Sequence, residues 1–226
     1  MSVTVKICGL AAPEALDAAL DAGADMVGFV FFPPSPRHLT FAAARTMGAR
    51  VRGRAEKVAL SVDADDGLLE GIVEALQPDV LQLHGHESPA RVASLKTRFG
   101  RPVMKAIAVA AAEDLAAVAT YADVADRLLF DARAPREATR PGGLGNVFDW
   151  HLLQNVRSGV PFVLSGGLDA ANVAEALQIT HAPGVDVSSG VERAPGEKDP
   201  DKIRAFVRAA REAAARLDAR PVRSIA

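Results

Sequence analysis

The sequence predicts a single α/β domain: an eight-stranded parallel (β/α) TIM barrel. Three observations carry that prediction. Eight short apolar runs alternate along the chain with segments whose apolar residues recur at helical spacing. The runs are almost continuously apolar, as strands covered on both faces should be. At 226 residues and 49% hydrophobic, the chain holds enough apolar material for one lean barrel. An open doubly wound sheet would more often stop at about five to seven strands. No linker or shift of composition marks a second domain, so residues 1–226 are expected to form one unit, frayed from about residue 218.

The candidate strands also place the chemistry, because in a parallel barrel all C-terminal strand ends open onto one mouth. Val3–Ile7 leads to Cys8, the only cysteine, and Gly9 lets the chain turn away. A lone cysteine is either a small buried hydrophobe or a reactive thiol, and the strand-end position favours the thiol. To act as a base near neutral pH, it needs its proton affinity lowered by nearby positive charge; Lys6, two residues back on the same face, is positioned to assist. Met26–Phe31 is followed by Pro33, Pro34 and Pro36, which stiffen a loop carrying Arg37, either a surface arginine or one aimed at a ligand carboxylate.

Lys57–Val62 ends at Asp63, and a helix follows through Leu69, Ile72, Val73 and Leu76. Val80–His84 ends on a histidine that could bind substrate or satisfy local backbone groups; no metal site is expected, since no second histidine or acidic cluster has suitable spacing. A helix through Val92, Leu95 and Phe99 leads to Val103–Ile107, where Lys105 reads as a Schiff-base lysine or as half of a charge pair inside the barrel. A helix through Leu115, Val118, Ala119 and Ala122 leads to Arg127–Asp131. Asp131 either caps the next turn or, opposite Cys8 in a partly dry mouth, holds a proton to donate.

The long connection Ala132–Val147 carries Gly142-Gly143-Leu144-Gly145. It lacks the spacing of a dinucleotide loop and reads as a mobile cover or an ordinary turn. Helical spacing at Leu152, Leu153 and Val156 precedes Phe162–Ser165. The loops after strands seven and eight are the habitual phosphate site of this fold: here they are Gly166-Gly167, with Asp169 placed to start a helix, and Ser188-Ser189-Gly190 after Val185–Ser188. Between them lies a helix through Val173, Ala176 and Leu177. The last helix has Asp199 as N-cap, Pro200 in its first turn, and Ile203, Phe206, Val207, Ala210 and Leu217 on one face.

Formal net charge is −2 with scattered basic residues, which excludes the electrostatic footprint of a nucleic-acid or anionic-membrane partner. One cysteine makes no intramolecular disulfide, and neither a leader-like N-terminus nor a run of about 20 apolar residues is present. The expectation is a cytoplasmic protein, monomer or homodimer, that acts on a phosphorylated small molecule.

Lys6-Ile7-Cys8-Gly9-Leu10, Gly28-Phe29-Val30-Phe31, Ser35-Pro36-Arg37, Gln82-Leu83-His84-Gly85, Phe130-Asp131, Phe148-Asp149-Trp150, Gly166-Gly167-Leu168 and the stretch from Gly184 to Glu192 stand in a specific order and spacing. In these motifs, from about residue 3 to residue 210, the chain resembles the phosphoribosylanthranilate isomerase family of tryptophan biosynthesis. The resemblance implies a cofactor-free Amadori rearrangement of N-(5-phosphoribosyl)anthranilate to 1-(2-carboxyphenylamino)-1-deoxyribulose 5-phosphate. It implies Asp131 as general acid and Cys8 as general base, Arg37 on the anthranilate carboxylate, His84 and Asp186 along the substrate, and Gly166, Gly167, Ser188, Ser189 and Gly190 around the phosphate. The family's loop usually reads glycine-glycine-threonine-glycine, so Leu144 is a departure that removes a hydroxyl.

Three rival readings have distinct signatures. The sister isomerase of histidine biosynthesis, to which the chain is also similar, uses an aspartate where Cys8 stands and two matching phosphate sites. A Schiff-base aldolase would centre on Lys105. A non-catalytic barrel binding a phosphorylated metabolite would keep the phosphate loops without needing the thiol and carboxyl.

Overall fold

The computed structural model describes residues 3–135 and 137–219. Eight strands close into a barrel in chain order: β1 Thr4–Cys8, β2 Met26–Phe31, β3 Glu56–Ser61, β4 Val80–Leu83, β5 Val103–Val109, β6 Arg127–Ala132, β7 Phe162–Leu164 and β8 Gly184–Val187. Neighbours pair in parallel, and β8 closes on β1 through Thr4–Gly184 to Ile7–Val187. The expected strands are all present with ends shifted by one or two residues. One shift matters: Cys8 belongs to β1 and pairs with Gly28.

Side chains alternate across each strand. One set faces inward, where Met26, Val58, Val80, Met104, Ala106, Leu129 and Val163 fill a layer inside the barrel. The opposite set, including Val5, Ile7, Phe29, Ile107 and Phe130, packs against Leu16, Ile72, Leu95, Ile203 and Phe206 of the surrounding helices. Burying each such side chain contributes about 1.5–3 kcal/mol. Above the inner apolar layer come Cys8, Val30 and Leu60, and above these the mouth.

Helices α1 Pro13–Asp21, α2 Phe41–Val51, α3 Asp66–Leu76, α4 Pro89–Phe99, α5 Ala117–Ala122, α6 Val173–Thr180 and α7 Pro200–Asp218 surround the strands. Three of them start on side-chain caps: Thr40 accepts from the Ala43 amide, Asp65 from Leu68, and Ser88 from Arg91. Asp199 caps α7 as expected, accepting from Asp201 and Lys202. The predicted fraying lies mostly outside the described residues, at 220–226.

The segment between β6 and β7 departs from expectation. Leu152 and Leu153 lie in a 3₁₀ turn, Trp150–Leu153, rather than in an α-helix, and Val156 follows just beyond it. The roofing loop takes up residues 133–149, and Gly159 and Pro161 then close off the space. The few residues left are too short a run to nucleate an α-helix. After β8 the chain forms an unforeseen antiparallel hairpin, β9 Glu192–Ala194 with β10 Glu197–Lys198, which carries two charges back to the mouth.

Candidate active site

A cavity opens at the C-terminal end of the barrel. Cys8, Arg37, His84, Asp131 and Asp186 line it, although they come from separate strands and loops. Gly166, Gly167, Ser188 and Ser189 line it as well. Gly190 stands behind the wall, against the Leu168 carbonyl.

Cys8 is 4% exposed and faces into this cavity. Lys6 stands one inward position below it, fully buried, with Nζ 2.8 Å from Asp186 Oδ1. A Cβ at Gly28 would lie 2.9 Å from the Cys8 sulfur and 3.2 Å from Lys6 Nζ, so glycine there leaves room for thiol and ammonium side by side. Burial pushes the thiol up from its ordinary value; Lys6 pulls it down, and the Asp186 carboxylate opposes Lys6. Lys6 does stand beside the thiol, but the thiol's proton affinity is raised and not lowered as expected of a base near neutral pH. The reason is burial, which together with the Asp186 carboxylate outweighs the pull of Lys6. Asp186 Oδ2 in turn accepts from the Ser165 hydroxyl at 3.2 Å.

Asp131 faces the cavity from the end of β6. Its Oδ1 accepts the Ala132 amide at 2.9 Å, and its Oδ2 lies 3.1 Å from His84 Nε2. His84 Nδ1 lies 3.0 Å from the amide nitrogen of Gln82, two residues back along β4. Gly142 roofs the Asp131–His84 contact, with no room above it for a Cβ.

Arg37 is buried, and Glu192 of the hairpin grips it through two hydrogen bonds of 2.7 Å, at Nε and Nη2. Nη2 also donates to the Gly143 carbonyl at 3.1 Å. Lys198 joins the same carboxylate at 2.7 Å and donates to the Ser188 carbonyl and hydroxyl at 2.9 and 3.1 Å. Burial lowers Lys198 to about 8. Burial alone would raise Glu192, but Arg37 and Lys198 outweigh it and hold the carboxyl below its usual range.

Gly166 and Gly167 both have positive φ, +88° and +63°, which turns the chain sharply after β7. Asp169 does not start α6 as expected. Its carboxylate accepts the Ala171 and Asn172 amides, and the helix begins only at Val173. The Gly166-Gly167 turn is therefore followed by loop residues and not directly by a helix end.

Lys105 and Asp63 are not brought to this cavity. Met104 and Ala106 face into the barrel, so Lys105 between them faces outward, which corrects the expectation of a pair inside the barrel. Its Nζ is occupied by Glu87 at 2.8 Å and by the carbonyls of Gly85 and Leu83, with the Tyr121 ring 5.5 Å away. An amine so engaged is a poor Schiff-base nucleophile. Asp63 accepts the His86 amide at 2.6 Å.

A family model described as N-(5'phosphoribosyl)anthranilate (PRA) isomerase matches residues 5–209. The chain belongs to that family. It is 68% identical over 213 residues to the N-(5'-phosphoribosyl)anthranilate isomerase of Bradyrhizobium sp. strain ORS 278, covering 94% of this chain and 97% of that one. Among solved structures it is similar to phosphoribosyl anthranilate isomerase from Thermotoga maritima, with TM-score 0.83, 33% identity, and 93% and 99% of the two chains covered. It is also similar to a phosphoribosyl anthranilate isomerase in complex with reduced 1-(o-carboxyphenylamino)-1-deoxyribulose 5-phosphate, with TM-score 0.81, 32% identity, and coverage of 93% and 99%. The expected isomerase of tryptophan biosynthesis is thus the family that this chain joins.

Leu144 lines the cavity with an apolar side chain where the resemblance implies a threonine. Sequence reasoning missed Arg140, which lines the cavity from the roofing loop with its Nε buried and unpartnered among the described residues. It also missed Glu192 as the partner of Arg37, although it sits inside a quoted motif, and Lys198 as the second cation on that carboxylate.

Proposed function

We propose that Cys8 and Asp131 divide the Amadori rearrangement between them as base and acid. The observation that carries this reading is that thiol and carboxyl line one cavity together with Arg37 and the loops after β7 and β8. Asp131 gives its proton to the ribose ring oxygen. The C1–O bond breaks with its electron pair going to that oxygen, and the anthranilate nitrogen's lone pair forms the iminium. The Cys8 thiolate then removes the proton from C2, and the C–H electron pair makes the C1=C2 bond of the enolamine. To finish, C1 takes a proton and the enol oxygen releases one, giving the ketone. If the thiol supplies the first and the Asp131 carboxylate accepts the second, both groups are reset and no cofactor is needed.

Arg37 holds the anthranilate carboxylate, with Glu192 fixing the direction of the guanidinium. His84 and Asp186 border the sugar, while Gly166, Gly167, Ser188 and Ser189 hold the phosphate and Gly190 permits the close approach of the two loops. One chain supplies every group, so the chemistry works equally in a monomer or a homodimer. Substrate and product are charged phosphate esters that do not cross membranes unaided, so a cytoplasmic location is part of the proposal.

The test is the loss of phosphoribosylanthranilate fluorescence on adding protein. Cys8→Ala and Asp131→Ala should each lower kcat by orders of magnitude while a product analogue still binds. Near-wild-type turnover in either variant refutes its assigned role.

A further inference from the structure

Gln82 is the inward residue of β4 between the barrel's apolar layer and His84, and its side chain has no solvent exposure. Its amide nitrogen is 3.0 Å from His84 Nδ1, and the other ring nitrogen is 3.1 Å from Asp131 Oδ2. Its amide oxygen is buried without a partner among the described residues. A primary amide nitrogen only donates, whereas a neutral imidazole carries one donor and one acceptor. Nδ1 facing that nitrogen is therefore the acceptor, and the ring proton sits on Nε2, pointing at Asp131.

The opposite amide orientation is worse on two counts. It would leave two buried N–H groups bare in place of one N–H and one carbonyl, and bare buried donors are the rarer defect. It would also demand a proton on Nδ1, turning Nε2 into an acceptor that competes with substrate for the Asp131 proton.

We infer that Gln82 is a positioning residue that holds His84 in the Nε2–H tautomer, so that the imidazole supports Asp131 without taking its proton. This rests on the proposed role of Asp131 as the acid. Once Asp131 has protonated the sugar, its carboxylate has a donor on each oxygen, the Ala132 amide on Oδ1 and His84 on Oδ2. The unpartnered Gln82 carbonyl is what this orientation leaves behind.

Nitrogen-15 NMR of histidine-labelled protein reads the tautomer directly, with the His84 signals assigned by their loss in His84→Asn. The wild type should show Nε2 protonated and Nδ1 bare, and Gln82→Met should shift the population toward Nδ1–H. In the same variant kcat should fall about tenfold or more while KM changes less than about twofold, as for an interaction that matters in the transition state. A protonated Nδ1 in the wild type, an unmoved tautomer in Gln82→Met, or equal losses through kcat and KM overturns the inference. The wild-type spectrum needs only the His84→Asn assignment, so a misfolded Gln82→Met leaves the test standing. An active Asp131→Ala would sink the acid assignment and leave the tautomer result untouched, so the two failures are distinguishable.

Discussion

Replacing Gly142 by alanine inserts a single methyl group over the Asp131–His84 contact. The new Cβ would lie 2.5 Å from Asp131 Oδ2 and 2.9 Å from His84 Nε2, whereas ordinary contacts begin at 3.4 Å, so about 1 Å must be found. Asp131 cannot retreat without losing the Ala132 amide, nor His84 without losing Gln82. The roofing loop must lift instead. It then carries away the Gly143 carbonyl that holds Arg37 at 3.1 Å, and with it Arg140 and Leu144 of the cavity wall. Misplacement by about 1 Å can lower a rate by about 100-fold, so kcat/KM should fall about 10- to 100-fold. That loss equals about 1.4–2.7 kcal/mol of transition-state stabilisation. Gly142 is not in the positive-φ region and lies on a loop, so the melting temperature should stay within about 2 °C. The assay is the fluorescence trace beside a thermal melt. Gly67→Ala is the control: the nearest atom to its added Cβ is 3.7 Å away, and activity should not change. A Gly142→Ala enzyme within about twofold of wild type in kcat/KM would refute the idea that this loop rests closed on the acid.

Further outcomes follow from the buried charges. Because burial raises the Cys8 thiol above its ordinary 9.0, the rate of iodoacetamide alkylation should climb through the alkaline range with its midpoint above that value. Lys6→Met, which removes the opposing positive charge, should move the midpoint higher still; an unmoved midpoint contradicts the role given to Lys6. Lys198, lowered to about 8, should lose its charge as pH rises past that value, so substrate KM should rise from about pH 7 to about pH 9. In Lys198→Met, KM should be high and flat across that range, and a flat wild-type profile would count against a lysine at the phosphate loop. Glu192→Gln strips the carboxylate from buried Arg37 and Lys198 and should cost about 3–5 kcal/mol by urea denaturation. Its folded-state value is lowered, so the stability it contributes is full above its ordinary 4.5 and lost as pH falls through the lowered value. The variant should lack that acid-side slope.

The strands and the groups at their ends were legible because the fold itself brings strand ends together. Cys8, His84, Asp131 and Asp186 each close or interrupt an apolar run, and the closed barrel converts that repeated position into one mouth. Their partners were not legible. Lys6 meets Asp186 across 180 residues and Arg37 meets Glu192 across 155, and which charge faces which depends on strand register and on a hairpin that no periodicity announced. Alternation did hold unused information. With Met104 and Ala106 facing inward, Lys105 had to face the helices, and Gln82 had to share the face of His84. Helices α1 and α2 escaped the apolar pattern for a different reason: Ala15, Ala18 and Ala19 of α1 and Ala44 and Gly48 of α2 are small buried residues whose spacing carries little signal.

Four buried ion pairs among the described residues remain to be explained, since burying a pair seldom stabilises a fold more than apolar residues would. Lys6–Asp186 and Arg37–Glu192–Lys198 lie against the cavity, where each holds a charge in a fixed direction, as the proposed chemistry asks. Lys105–Glu87 lies on the outer side of the sheet and makes no such contact, yet its ammonium also binds the carbonyls of Leu83 and Gly85, the residues on either side of His84. The Glu87 carboxylate completes the clamp by accepting the Gly85 amide at 3.0 Å. The pair therefore fixes the backbone that aims His84 at Asp131. On this argument Lys105, which the sequence left open as a Schiff-base lysine or half of a charge pair, forms the charge pair and steadies His84 from behind the strand.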